Sequence, residues 1–304
     1  MRFNKLDLNL LVALDAMLAE KNISRAAERM HMSQSAMSNA LSRLRQYFED
    51  DLLVQVGRRM DLTPRAEMLQ ESVRDVLLRV DIAVATSPVF DYASSDREFT
   101  LFVSDFTLQT LLPHMLALTH KKAPHVRFRL QPQAREPERA MERGEVDLLV
   151  IPERYCSPAH PAEALFDEQL SCVVWNGSPL AQGPLTLEQY TAAGHVAVSP
   201  GLNQHAFDHL ALQQEGVERR IEVTTFSFTS AAGLVVATDR IATVHERLAR
   251  QAARQLPLVI HPLPVPTAPM RQFMQWHKYR AFDPGIVWLR EVMHEAVGAM
   301  HAAD

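Results

Sequence analysis

The 304-residue chain carries a formal net charge of −5, with 47% hydrophobic and 22% charged residues. That is the make-up of an ordinary globular protein, long enough for two domains and with apolar material for their cores. No stretch reaches the ~18 apolar residues of a membrane span, and the two cysteines, Cys156 and Cys172, are too few for a disulfide framework and read as buried free thiols. The opening MRFNKLDLNLLVALDAMLAE lacks the apolar core and small-residue cleavage site of a signal peptide, so the expected location is the cytoplasm.

The net charge argues against a nucleic-acid partner, but its distribution does not. Residues 1–65 are net +2, and within 21–47 five basic residues (Lys21, Arg25, Arg29, Arg43 and Arg45) face one acid, Glu28. Affinity for DNA follows local phosphate neutralisation and not whole-chain charge.

In chain order, Leu6, Leu10, Leu11, Leu14 and Leu18 recur at the spacing of one helical stripe. Ser24 is expected to cap a second, short helix, whose Ala26, Ala27 and Met30 allow a close crossing. Ser33 caps a third that buries Met37, Ala40, Leu41, Leu44 and Phe48, and the gap 31–33 has the length of a helix-turn-helix turn. Two β-prone runs, 52–56 and 60–62, flank Gly57-Arg58-Arg59 as a wing with a basic tip. Thr63-Pro64 then opens a long helix. Its stripe Ala66, Leu69, Val73, Val76, Leu77, Val80 and Ala83 suits dimerisation, or packing against its own domain.

The pattern turns irregular over 86–97, which marks the domain boundary. Strands then alternate with helices: strands at 99–103, 126–130, 146–151, 170–175, 195–198, 220–223, 241–244 and 272–276, helices at 106–122, 136–143 and 284–300. Such alternation predicts an α/β fold with mostly parallel sheets, arranged as two lobes with a cleft between them.

Burying the apolar side of the third helix turns Gln34, Ser35, Ser38, Asn39, Ser42 and Arg43 outward, with no acid between Gln34 and Gln46. Gln and Asn pair bidentately with adenine, Arg with guanine, and serines with bases or phosphates. Ser24, Arg25 and Ser33 join them as expected DNA-binding residues, and Arg58 and Arg59 would reach the minor groove or the backbone. In the second domain, strand ends and helix starts offer Ser104, Asp105 and Phe106, then Gln131 and Pro152. The second lobe adds Ser199, Asn203, His205, Phe226, Phe228 and His245, and the returning segment adds Trp276 and His277. A mouth rich in Phe, Trp and His with few lysines suits an aromatic or apolar ligand. For each residue taken singly, core placement is an equal alternative.

The segments LDLNLLVALDAML and NISRAAERMHMSQSAMSNALSRLRQYFEDDLLVQVGRRMDLTPRAE resemble the LysR-type transcriptional regulators. FVSDF, RGEVDLLVIPE, AHPAEALFDEQLSCVV, DRIATVHERLAR, PLPVPT and DPGIVWLR continue the likeness toward the NodD and NahR branch, whose members respond to flavonoid or simple aromatic inducers. Ser35 stands where many members have proline. The resemblance implies a winged helix-turn-helix over 1–64, a linker and dimerisation helix over 65–87 and a hinge over 88–96. It further implies a periplasmic-binding-protein-like α/β effector domain over 97–304, with lobe I at 97–166 and 270–304 and lobe II at 167–269. It also implies an activator, a homodimer assembling to a homotetramer, near-palindromic bent DNA sites, a contact with RNA polymerase, and no cofactor.

Rival classes fare less well. No G-x-S-x-G elbow, P-loop, G-x-G-x-x-G after a strand or H-E-x-x-H motif points to an enzyme. His205 and His209 stand at i, i+4, but no third ligand accompanies them, so no metal is expected. A regulator without a ligand, and a small-molecule binder without DNA function, remain the alternatives.

Overall fold

The structure, a computed structural model, describes residues 6–57, 59–85, 89–133, 137–199 and 207–303, the side chains of 81–83, 85 and 207 excepted. The chain divides into two compact units: residues 1–87 and, apart from the short stretch 142–145, residues 88–304.

The first unit opens with α1 (Leu8–Glu20), capped by Asp7, whose carboxylate accepts from the Leu10 amide at 2.9 Å. α2 (Ile23–Arg29) is capped by Asn22, with the Arg25 amide 3.0 Å from Oδ1. The cap expected at Ser24 is therefore corrected. Asn22 holds the extended backbone a cap needs, and Ser24 already lies in the first turn. α3 (Gln34–Phe48) is capped by Ser33, as its sequence position predicts, with the Ala36 amide at 3.2 Å. Between α2 and α3, His31 takes a left-handed backbone (φ 51°) that lets the turn reverse within three residues.

Leu14, Met17, Met37 and Leu44 are fully buried where the three helices meet, and Ala26 and Ala27 let α2 approach closely. Truncating a leucine such as Leu44 to alanine costs about 2–5 kcal/mol. The wing is a two-residue hairpin of β1 (Leu53–Val56) and β2 (Arg59–Leu62), with Gly57 at φ +63° in the turn. α4 (Pro64–Ala85) is capped by Thr63, whose hydroxyl accepts from the Ala66 amide at 3.1 Å and donates to Asp50 at 2.6 Å. Ala66, Leu69, Val73 and Leu77 of its stripe pack into the core of this same unit, and Arg74 pairs with Asp15 of α1 at 2.8 Å. Met68, Val76 and Val84 of α4 are exposed.

The second unit holds two five-stranded sheets. β3 (Glu98–Val103) leads through α5 (Asp105–Thr110) and α6 (Leu112–Lys122) to β4 (Arg127–Pro132), then α7 (Pro137–Glu142) and β5 (Leu148–Pro152). β6 (Ala162–Glu168) runs through the single residue Gln169 into β7 (Leu170–Trp175) of the other sheet. There follow α8 (Leu187–Ala192), β8 (Gly194–Val198), α9 (Phe207–Gln214), β9 (Arg220–Thr225), α10 (Phe228–Ala231), β10 (Ile241–His245), α11 (Glu246–Ala253) and β11 (Leu258–Pro262). β12 (Met270–Gln275) returns to the first sheet and α12 (Pro284–Ala303) closes it. The helix expected over 106–122 is broken at Leu111, because Pro113 in the first turn of α6 cannot continue α5.

The sheet orders are β4-β3-β5-β12-β6 and β11-β7-β10-β8-β9. β3 pairs in parallel with β4 and β5, and β8 with β9 and β10. β12, however, is antiparallel to both its neighbours, and so is β7. The expectation of mostly parallel sheets is thus corrected to mixed sheets. A chain that crosses between sheets in an extended run has no helix to reverse it, so each arriving strand runs against its hosts. β6 and β11, which the periodicity did not reveal, are the partners of those arriving strands.

Buried and part-buried ion pairs tie these connections. Arg97 grips Asp283 bidentately at 2.7 and 2.9 Å, and Asp147 accepts from the Thr100 amide at 2.8 Å and from Arg280. At the crossover, Glu168 is 1% exposed and accepts from the Arg247 amide at 3.0 Å and from the Arg247 guanidinium. Removing one partner there would strand the other charge.

Candidate nucleic-acid interface and effector cleft

On the first unit, Ser24, Arg25, Ser33, Gln34, Ser35, Ser38, Asn39, Ser42, Arg43 and Arg59 are all exposed, whereas Arg58 lies outside the described residues. Gln34, Ser38, Asn39 and Ser42 make no side-chain hydrogen bond among the described residues, so their donors and acceptors face water. Ser33 and Ser35 share a 3.0 Å hydroxyl contact, and Arg43 reaches Asp7 at 3.3 Å with both side chains about half exposed, 53% and 52%. Such an exposed pair contributes little to stability, so the guanidinium can be drawn to another anion.

The basic count over 21–47 overstates what faces outward. Arg45 donates to the carbonyls of Asp51 (2.8 Å) and Leu53 (2.7 Å), fastening the end of α3 to the wing. Arg29 lies between Asp15 and Glu20 at 3.9 and 3.6 Å, and Arg25 bonds the Glu20 carbonyl at 2.7 Å.

In the second unit the two lobes meet where α5 faces α10 and α11. Ser104 caps α5, with the Thr107 amide 3.3 Å from its hydroxyl. Asp105 reaches across the cleft: its Oδ2 accepts from the Ser227 hydroxyl (2.8 Å), the Thr229 amide (3.1 Å) and the Thr229 hydroxyl (3.2 Å). Phe106 is 1% exposed, and its ring centre lies 4.2 Å from that of His245 and 6.2 Å from that of Phe166. His245 ends β10, and its Nδ1 is buried without a partner. Burial pushes its pKa down to about 4, and the nearby Asp105 carboxylate offsets that only in part. The His245 ring is therefore neutral at physiological pH, offering one donor and one acceptor.

The cleft also holds residues that sequence reasoning missed. Gln272 is 1% exposed, its amide nitrogen 3.4 Å from the Thr107 hydroxyl and its Oε1 unpartnered. Ser227 and Thr229 are the partners of Asp105, and only Ser227 carries a local signal, the cap of α10, with the Ser230 amide at 3.1 Å.

Of the other expected ligand residues, Pro152 lies opposite Gln272 in register, half-buried at the end of β5. Gln131 is half-buried on the edge strand β4, opposite Phe102. Ser199 follows β8, and its amide donates to the Thr225 carbonyl at 2.8 Å. Phe226 projects outward, 81% exposed, while Phe228 turns in, 5.3 Å from the His245 ring. Asn203 and His205 lie outside the described residues.

Trp276 and His277 are not at the crevice. Because β12 is antiparallel to β5, its beginning lies at the carboxyl ends of the parallel strands and its end at the opposite rim. Trp276 is buried in the lobe core with Arg290 stacked 4.0 Å above it, and His277 packs 4.8 Å from His160. Gln272 occupies the place assigned to them.

The pattern of the bacterial regulatory helix-turn-helix protein, lysR family, matches residues 8–67, and that of the LysR substrate binding domain matches residues 93–298. The chain belongs to the LysR family. Nodulation protein D 1 of Neorhizobium galegae is 40% identical over 307 residues, covering 100% of this chain and 98% of its own length. Among solved structures, a probable transcriptional regulator from Pseudomonas aeruginosa is similar at 29% identity and a TM-score of 0.65, over 96% of this chain and 98% of that one. A full-length OxyR variant from the same organism has a TM-score of 0.73 at 18% identity, over 96% and 94%, and shows the common fold. This LysR-family protein is a DNA-binding transcriptional regulator that responds to a small molecule, and it is not an enzyme. Among the described residues, no helix is long and apolar enough to cross a membrane.

Proposed function

We propose that the regulator is a cytoplasmic activator whose inducer is a small aromatic molecule bound between the two lobes of the second unit. The observation that carries this reading is the meeting of Phe106, His245 and Phe228 with two buried, unpartnered acceptor or donor atoms, His245 Nδ1 and Gln272 Oε1. Buried polar atoms in native proteins rarely stay unpaired, and an aromatic ligand with one or two polar substituents would satisfy both. Ser104, Asp105 and Pro152 border the same place.

Gln34, Ser35, Ser38, Asn39, Ser42 and Arg43 read bases in the major groove, while Ser24, Arg25 and Ser33 hold phosphates and Arg58 and Arg59 hold the flank. The exposed Met68, Val76 and Val84 of α4 support pairing through that helix, and two such dimers form the tetramer. Inducer shifts the lobes, changes the spacing of the DNA-binding dimers, relaxes the bend and exposes a surface for RNA polymerase.

A gel-shift titration on the DNA upstream of the regulator's own gene, with a salt series and Arg43→Ala, tests the DNA half. Tight, salt-sensitive binding weakened by the substitution is expected; equal, feeble binding to operator and random DNA overturns it. Footprint length and bend angle should then change when a binding aromatic is added. Unchanged values at saturation would overturn the inducer half.

A further inference from the structure

Phe228 and Asp105 do something that a preformed, open ligand site does not need. Phe228 belongs to the second lobe, between β9 and β10, yet its ring packs against the apolar clusters of both lobes. It lies 5.3 Å from His245, against which Phe106 of the first lobe also lies tilted, 4.2 Å away. Phe226, two residues earlier in the same loop, is 81% exposed, so one of two neighbouring phenylalanines is drawn inward and the other is not. The loop is held by the carboxylate of Asp105, which collects two hydroxyls and a backbone amide from Ser227 and Thr229. Hydrogen bonds to an ionised acceptor are the stronger kind, and three of them converge on one oxygen across the lobe boundary.

We infer that the chain supplies its own occupant of the interlobe cleft: Phe228 fills the aromatic place beside His245, and the Asp105 contacts to Ser227 and Thr229 latch it there until a ligand displaces it. The inference rests on the reading of this cleft as the effector site. It adds that the ligand-free cleft is plugged, so the inducer's affinity is reduced by the fraction of molecules in which the plug is out. Asp105 and Phe228 are then the residues that set the inducer threshold, acting through the α10 loop and not only through contact with the ligand.

Hydrogen–deuterium exchange on the full-length protein, with no ligand added, tests the latch. Asp105→Ala is expected to raise amide exchange across 225–231 about tenfold, in keeping with the loss of charge-assisted hydrogen bonds, and to leave β8 and β10 unchanged. Asp105→Asn, which keeps the shape and loses the charge, should fall between and serves if the alanine variant does not fold. The plug is read separately by the NMR titration of the His245 ring. Phe228→Ala lets water reach it and moves its midpoint toward the ordinary value near 6.5.

Unchanged exchange at 225–231 in both Asp105 variants overturns the latch, and an unmoved His245 titration in Phe228→Ala overturns the plug. Because neither measurement uses a ligand, a failed aromatic screen would leave them standing. Conversely, an aromatic that binds with the same affinity to wild type and to Phe228→Ala would keep the effector site and remove the plug.

Discussion

The outer face of α3 and the cleft between α5 and α10 are both built from short polar side chains, but those side chains are in opposite states. Gln34, Ser38, Asn39 and Ser42 have no side-chain partner among the described residues and stand in water. Asp105, Ser227 and Thr229 are bonded to one another, and His245 and Gln272 are buried beside them. A face that must meet a large, rigid polyanion keeps its donors ready and pays only the loss of water on docking. A cleft that must answer a scarce small molecule keeps two internal states close in energy, so Asp105, Ser227 and Thr229 hold partners they can exchange while His245 Nδ1 and Gln272 Oε1 have none. The difference shows why one site is recognisable from a single helix while the other exists only once two lobes have met.

The comparison can be broken most sharply through the cleft's core. Phe106→Ala should cost about 3–5 kcal/mol in the second unit, as for large aromatic truncations generally. Calorimetry should show its transition falling while the transition of the helix-turn-helix unit holds. If both fall together, the two regions are one cooperative body and their contrast loses its footing.

Acid should separate the regions next. His195, whose Nε2 lies 2.7 Å from the Tyr190 carbonyl, and His245 both have pKa values pushed down to about 4 by burial, from an ordinary 6.5. The unfolded chain therefore takes up these protons first as pH falls. Their stabilising effect is whole above about pH 6.5, is lost between 6.5 and 4, and levels off below. Thermal melts of the second unit should follow that window, and His195→Gln with His245→Gln should flatten it. An undiminished slope in the double variant would place the acid sensitivity elsewhere.

Smaller effects sharpen the DNA face. Asn39→Ala should lose about 1–3 kcal/mol of operator binding while leaving random-DNA binding nearly unchanged, since a base contact carries discrimination. Equal losses on both DNAs would reassign Asn39 to the backbone. Arg59→Ala should do the reverse, weakening all sequences alike and lowering the slope of log K against log salt by about 1. Titrations at three salt concentrations distinguish the two.

Much of the first unit is legible residue by residue because its determinants are local. Ser33 as a cap, Thr63-Pro64 as a helix start, Gly57 at the wing and the buried Met37, Leu41 and Leu44 each follow from a few neighbouring residues. The Ser24 cap failed by two residues, a boundary error that a competing Asn22 explains. In the second unit Ser104, Asp105, Phe106 and His245 were legible as strand ends and helix starts. Thr107, Thr229 and Gln272 were not, and Ser227 only as the cap of α10, since no single element states what stands opposite it.

By itself, then, the sequence determined the helices of the first unit, most of their caps, most strands and the exposed polar face of α3, because these depend on side-chain period and on contacts within a turn. Tertiary structure decided strand direction, and with it which end of β12 meets the cleft. It placed Gln272 there and sent Trp276 beneath Arg290. It also decided that Phe228 turns inward and Phe226 outward. The physical reason is that these outcomes turn on contacts between separate elements, some more than a hundred residues apart, as Gln272 is from Pro152 and Asp105 from Ser227 and Thr229, and no local pattern records them.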